Sequence, residues 1–318
     1  MNLLVAGDLF VADRFRGRPL CGPSVESLFA GADVRLVNLE APITAGTRAR
    51  PILKTGPHLC ATAETVLPLL ARLGVDTVTL ANNHIMDYGT SGLAQTLDAL
   101  RTAGIRTVGA GMTLEEADRA LVIEGDAGRI AVVNFCENEW ANAGPGRPGA
   151  NPMAFEDNIE RIREARRTCD RVIVVVHGGQ EDFHYPTPRM IKRYRFYAAN
   201  GASVVVGHHQ HCVSGYEVHQ GAPIFYGIGN FLFTMSSSLG SWYTGLVLKL
   251  RFEAGRPLEW ELVPVAQARE DYTLTRLEGE ARERVLREIE GYSRVIADGP
   301  ALQARWERFL AENARFYL

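Results

Sequence analysis

The chain has 318 residues, 46% hydrophobic and 22% charged, with a formal net charge of −3, so it can bury a large core as one large α/β domain or as two. No basic excess or stripe suits a nucleic-acid partner, because the Arg-rich segments are diluted by Glu. Five scattered cysteines (Cys21, Cys60, Cys136, Cys169, Cys212) form no C-x-x-C pair, which argues against a disulfide framework or a thiolate zinc site and fits a reducing compartment.

The opening Met1-Asn2-Leu3-Leu4-Val5-Ala6-Gly7-Asp8 is too short and too soon acidic for a signal peptide, and no apolar run reaches membrane-spanning length. The expectation is a cytoplasmic protein without a membrane anchor. Residues 3–6 read as a buried strand ending at Gly7-Asp8, a common place for catalytic groups in α/β folds, although Asp8 could also cap the following turn. The same design recurs at 34–40, an apolar strand ending in Asn38-Leu39-Glu40 before Pro42. A Gly/Pro-containing loop then holds Lys54 and His58. Lysine is scarce, found only at Lys54, Lys192 and Lys249; Lys54 is either a solvated loop charge or a substrate contact.

Residues 62–74 read as a helix stopped by Gly74, and 75–80 as a strand running into Ala81-Asn82-Asn83-His84, with Asp87-Tyr88-Gly89 beyond. An Asn-Asn-His turn offers an amide oxygen as a hard ligand beside an imidazole able to donate a proton, though Asn-rich turns also form for backbone reasons. A helix over 92–103 and a short strand over 105–108 follow. Strands at 121–123 and 130–135 pair around Gly125-Asp126-Ala127-Gly128. From 136 to 152 the composition shifts to Glu, Asn, Gly and Pro with one Trp140, which suggests a mobile lid or a long surface loop, the lid being favoured.

A charged helix over 159–169 precedes the strand 171–176, which delivers His177-Gly178-Gly179-Gln180-Glu181. The next helix carries Arg189, Arg193 and Arg195, either a solvated face or contacts for an anionic substrate; Arg189 is the candidate substrate ligand. The apolar run 203–206 ends in Gly207-His208-His209-Gln210-His211, three of the chain's 8 histidines. On an extended backbone His209 and His211 would face the same way and could approach one ion. Strands at 223–226 and 246–252, a last strand from 259, and helices over 277–297 and 300–316 complete the chain. Val285, Ile289 and Tyr292 mark a core face.

Asp8, Glu40, Asn83, His84, His177 and the 208–211 cluster all stand at strand ends, which open α/β architectures bring together. Hard oxygens with several imidazoles suit Zn, Mn or Fe, and a bridging carboxylate could hold two ions. The order of these motifs, together with Pro223-Ile224-Phe225-Tyr226 and Gly229-Asn230-Phe231, resembles the calcineurin-like metallophosphoesterases and specifically their CapA-like branch, named for poly-γ-glutamate capsule synthesis.

The resemblance spans nearly all of residues 1–250 and implies an α/β fold, a two-sheet β-sandwich flanked by helices (αββα). It places a CapA-like domain over 1–255, with 256–318 packing on it. It also implies metal ligation by Asp8, Glu40, Asn83, His177, His209 and His211, with His84, Asp8, His177 and His209 as catalytic groups. Lys54, Asn82, Glu181 and Arg189 are the expected contacts to a peptide or γ-glutamyl substrate. Three departures stand out: Phe10 replaces the first-motif histidine, Asn38-x-Glu40 replaces the usual bridging Asp motif, and the Gly-His-x-His motif is spread over 207–211.

Three functions remain open. The first is metal-assisted hydrolysis or transfer with one or two divalent ions. The second is metal-free acid/base epimerisation at a peptide Cα, as in lasso-peptide type natural-product biosynthesis. The third is a non-catalytic role in capsule assembly. A homo-oligomer is a further open expectation.

Overall fold

A computed structural model describes residues 1–44 and 50–314. In chain order its strands are β1 (Asn2–Phe10), β2 (Val34–Leu39), β3 (Thr77–Thr79), β4 (Arg106–Val108), β5 (Ala110–Gly111), β6 (Leu121–Gly125), β7 (Gly128–Cys136), β8 (Gly149–Ala150), β9 (Arg171–His177), β10 (Val204–His208), β11 (Tyr216–His219), β12 (Ala222–Phe225), β13 (Asn230–Phe233), β14 (Thr244–Arg251), β15 (Glu259–Gln267) and β16 (Leu274–Arg276). The helices are α1 (Pro23–Ala30), α2 (Ala63–Arg72), α3 (Gly89–Thr102), α4 (Leu114–Ala117), α5 (Phe155–Thr168), α6 (Pro188–Ala199), α7 (Gly279–Ala297) and α8 (Gly299–Asn313). The helix expected over 300–316 reaches Asn313; its last two residues lie outside the described residues.

Besides a small pair of β5 with β8, the described residues form two large sheets, ordered β16-β15-β14-β1-β2-β3-β4, with β13 also on β1, and β11-β12-β10-β9-β7-β6. Side-chain alternation stacks them. Leu3 and Val5 of β1 share one cluster with Ile173 and Val175 of β9 and Val204 and Val206 of β10, which is the core between the sheets. The alternate residues Leu4 and Ala6 pack outward with Val25 and Phe29 of α1, Leu70 of α2 and Leu93 of α3. On the other sheet Val172, Val174 and Val176 pack outward with Ile162 of α5 and Tyr194 and Tyr197 of α6. The layers are therefore helix, sheet, sheet, helix, the αββα sandwich that the family resemblance implied. After residue 256, β15 and β16 extend the first sheet, and Val285 and Ile289 of α7 join the core between the sheets.

β1 runs to Phe10, past the end expected at residue 6, because it changes partners. Its first half pairs antiparallel with β14, and Asp8–Phe10 pairs parallel with β13, while β2 lies parallel on its other side. Gly7 permits the exchange: a Cβ there would lie 1.9 Å from the Gly229 carbonyl oxygen. On the second sheet β7, β9 and β10 are mutually parallel, so both sheets present strand carboxyl ends at one edge.

The favoured lid over 136–152 does not hold. Asn142 bridges to Ala150 and Gly144 to Arg147, and Ala141, Ala143, Ala150 and Asn151 are buried. Small side chains let this backbone lie close against the body, and the Asn151 amide donates to the Asn134 carbonyl at 3.0 Å. Among the described residues no helix is long and apolar enough to cross a membrane.

Gly7→Ala should lower stability by about 3 kcal/mol, since the added carbon meets backbone and not a yielding side chain. Thermal denaturation checks this, and an unchanged midpoint would mean that β1 and the Gly229 turn can separate freely.

Candidate metal centre

The structure brings Asp8 (β1), Glu40 (after β2), Asn83 and His84 (after β3), His177 (end of β9) and His209 and His211 (after β10) to one edge of the sandwich, all buried. Glu40 Oε1 lies 3.5 Å from His177 Nε2 and 3.6 Å from His211 Nε2. Asp8 Oδ2 is 3.6 Å from His211 Nδ1, and Asp8 Oδ1 is 3.8 Å from His177 Nδ1. The Asn83 amide oxygen is 3.1 Å from His177 Nε2. His209 Nδ1 is 3.2 Å from that same nitrogen.

Beside a more exposed group of Glu137, Glu139 and His209, two buried ligand groups emerge among the described residues, Asp8 with Glu40 and His211, and Glu40 with His177 and His209, each with donor atoms within 4.8 Å of one another. They share Glu40. Its two oxygens are buried and find no hydrogen-bond partner among the described residues. A carboxylate left this way normally costs several kcal/mol, so the carboxylate and the imidazole nitrogens around it fit a hard or borderline divalent cation as the missing partner. Without a cation, burial and then the Asp8 charge push the Glu40 carboxyl well above its ordinary range. Burial and the neighbouring imidazoles push His177 well below its own, and burial lowers His211.

Partners outside these groups orient them. The Asn38 amide donates to Asp8 Oδ1 at 2.7 Å and lies 3.2 Å from His177 Nδ1. His211 Nδ1 faces the Asn230 amide oxygen at 2.8 Å, and the His209 backbone N–H donates to Asp8 Oδ2 at 3.1 Å. His209 Nε2 meets Glu137 Oε1 at 3.1 Å. Burial opposes charge on His209, but the hydrogen bond to Glu137 and the Glu137 and Glu181 charges outweigh it and raise its pKa to about 9.

His84 stands beside this cluster with Nδ1 2.7 Å from Asp87 Oδ2. Lys54 Nζ is 3.2 Å from the same nitrogen and pairs with the other Asp87 oxygen. The Lys54 side chain is 1% exposed, so it is not a solvated loop charge: the loop folds over the site and a buried carboxylate receives it. Lys54, Asn83, His84, Glu181, His209 and His211 all line one cavity of about 480 Å³, together with Glu137, Trp140 and Trp242.

The expectation for Asn82 needs correction. Asn82 is wholly buried, its amide donating to the Leu39 carbonyl at 2.9 Å and its oxygen accepting from the His84 N–H at 3.1 Å; it holds the turn and has no face for substrate. Arg189 lies outside the site cavity and lines a neighbouring one. Arg195 is bonded through Nε and Nη2 to Glu217 at 2.8 and 2.7 Å.

His209 and His211 do converge, but not by strand alternation: β10 ends at His208, and their φ values of 88° and 53° place them in a left-handed turn. His208 faces away, its Nε2 on the Ala6 carbonyl at 3.2 Å. Asp87 and Glu137 had no assigned role in the sequence reading. Glu137 directly follows the apolar strand β7 as Glu40 follows β2, and that signal was available.

A family model described as "Bacterial capsule synthesis protein PGA_cap" matches residues 3–235. The chain is 34% identical over 212 residues to the PGA biosynthesis protein CapA of Bacillus subtilis (strain 168), covering 66% of this chain and 55% of that protein. It is 31% identical over 182 residues to the capsule biosynthesis protein CapA of Bacillus anthracis, covering 55% and 44%. The chain thus spans about half the length of these curated relatives. Among solved structures it is similar to a phosphatase of Mycoplasma pneumoniae, with a TM-score of 0.48 and 13% identity over 84% of this chain and 93% of that one.

The orphaned carboxylate makes a thermodynamic prediction. In chelator-treated protein Glu40→Gln should raise the thermal midpoint, because the folded state then buries no ionisable group at that position. The folded pKa is raised, so the Glu40 contribution is complete below 4.5 and is lost as pH rises. The gap in favour of Glu40→Gln should therefore widen from pH 5 to pH 8, while added Mn²⁺ stabilises only the wild type. A variant less stable than the stripped wild type at both pH values would count against the cation reading.

Proposed function

Because the chain belongs to the bacterial capsule synthesis protein PGA_cap family, we propose that it is a metal-assisted hydrolase or transferase acting on an amide bond of a peptide or poly-γ-glutamyl substrate. The observation that carries this reading is Glu40, buried and without a hydrogen-bond partner among the described residues, between Asp8 and His211 on one side and His177 and His209 on the other. The substrate class follows the names of the relatives, which concern PGA and capsule biosynthesis.

In this reading Asp8, Glu40, Asn83, His177, His209 and His211 hold one or two divalent ions, which when bound supply Lewis acidity at the reacting carbonyl. The protein handles the proton. Asp87 Oδ2 accepts from the His84 Nδ1–H, which fixes the tautomer and leaves Nε2 for the substrate. His84, with Nε2 protonated, gives its proton to the departing nitrogen as the C–N bond breaks and recovers one from the attacking water or acceptor. Lys54 holds Asp87 in place. Trp140, Trp242 and Glu181 line the cavity mouth where the chain flanking the scissile bond would run.

Poly-γ-glutamate incubated with the protein should shorten or change acceptor. Chelation should abolish this and Mn²⁺ restore it. His84→Gln should lower kcat by about 10²- to 10⁴-fold at unchanged metal content. Full turnover by the chelated protein, or by His84→Gln, would sink the assignment.

A second reading is favoured by Phe10, which stands where the resemblance implies a ligating histidine and instead packs on Phe233 at 5.4 Å between ring centroids. With fewer ligands the same imidazoles and carboxylates would remove and return a proton at a peptide Cα. Peptide recovered from deuterated buffer would then carry one deuterium at the inverted Cα, and chelator would have no effect. Unlabelled peptide eliminates this reading.

A further inference from the structure

Behind Glu137 lies a second cavity of about 460 Å³, walled by Arg189, Arg193 and Tyr194 of α6 and by Trp306 of α8. Glu137, Gly179 and Gln180 line both this cavity and the one over the candidate metal centre, so the two share a wall. The sequence accounts for the wall. Thr187 caps α6 by accepting from the Met190 N–H at 3.2 Å, and Pro188 stands in its first turn. Positions 189 and 193 then fall one turn apart on one helix face, while Met190, Tyr194 and Tyr197 are buried.

The two arginines of this cavity have no hydrogen-bonded acid partner among the described residues, although the Arg189 charge helps to hold the Glu137 carboxyl low. Arg189 makes no hydrogen bond or ion pair among the described residues, and the hydrogen bond of Arg193 is to the thioether of Met153, at 2.8 Å from Nη1, a weak acceptor. Arg195 on the same helix is satisfied by Glu217. Glu137, the acid in the shared wall, is already engaged by His209 and by the Gly179 N–H at 3.1 Å.

A solvated helix face would explain one exposed Arg189. It does not explain the half-buried Arg193 or the hydroxyl of Tyr194, a residue 1% exposed with no hydrogen-bond partner at that oxygen among the described residues. A buried O–H left without an acceptor is a donor awaiting one.

We propose that this cavity is a carboxylate-binding subsite, in which Arg189, Arg193 and the Tyr194 hydroxyl receive a free carboxylate of an acidic peptide whose scissile amide lies over the metal centre. The proposal rests on the reading of that centre as acting on a peptide substrate. Guanidinium forks match a planar carboxylate by paired N–H donors, which an isolated ammonium cannot do. The shared wall at Glu137 and Gly179 sets the anionic group one cavity away from the reacting bond, so an acidic residue flanking the cleaved amide is selected over a neutral one.

Calorimetric titration of the purified protein with γ-glutamylglutamate tests this without requiring turnover. The dipeptide should bind the wild type, its triamide, with all three carboxyl groups blocked, should not, and Arg189→Gln and Arg193→Gln should each weaken the dipeptide by about ten- to hundredfold. Unchanged thermal midpoints and metal content would place the loss at the subsite. Equal affinity in the variants, equal affinity for the triamide, or binding of inorganic phosphate in place of the dipeptide would each overturn the proposal. If the centre proves to hold no metal or to cleave no amide, the binding comparison still reads the subsite separately.

Discussion

One buried carboxylate constrains the whole edge of the sandwich. Among the described residues Glu40 has no hydrogen-bond donor of its own, yet its neighbours are arranged around it, with His177 and His211 each within 3.6 Å or less of Oε1. A fold selected for stability alone would bury an apolar residue here, since an unpaired buried ion is among the most costly features a core can carry. The surrounding groups do not relieve the cost by hydrogen bonding; they present further lone pairs. That arrangement fits a positive charge completing it, and the cost of leaving an ionised Glu40 uncompensated would favour capturing one.

Holding five segments in that arrangement falls to the backbone. β1 is the hinge of the construction, because it pairs antiparallel with β14 over Asn2–Ala6 and parallel with β13 from Asp8 onward. Asp8 sits at the exchange and contacts all sides: Asn38 of β2, the His209 N–H after β10, and His211. The parallel register of β9 with β10, which sets His177 beside His208, then brings the second sheet's strand ends to the same place. Ligand convergence is thus a consequence of strand direction and packing, with short turns adding the last few ångströms.

These strand ends were legible in the sequence because a β-branched run terminated by Gly, Asn or Pro leaves little freedom in where its last side chain goes. What was not legible depended on contacts between distant segments. Lys54 reads as a loop charge until Asp87 is known to face it. Asp87 reads as part of a turn until His84 is seen to need an orienting acceptor. Arg193 differs from Arg195 only through Met153 and Glu217, 40 and 22 residues away. The segment 136–152 misled by composition: Gly, Asn and Ala favour turns, but their small size also lets backbone pack tightly, and only the tertiary surroundings decide between the two.

The loss of the first-motif histidine illustrates how such a site can be kept by indirect means. Phe10 donates no lone pair, but its ring packs on Phe233, and Phe233 and Trp242 flank His211 at centroid distances of 5.0 and 4.7 Å. The imidazole is therefore confined by an aromatic wall on one side. On the other, Asn230 takes the Nδ1 hydrogen at 2.8 Å and is itself anchored by donating to the Trp242 carbonyl at 3.0 Å. With Nδ1 so engaged, the Nε2 lone pair is directed at Glu40. A residue that cannot ligate thus helps to aim one that can, and the group of Asp8, Glu40 and His211 stays complete without a histidine at position 10.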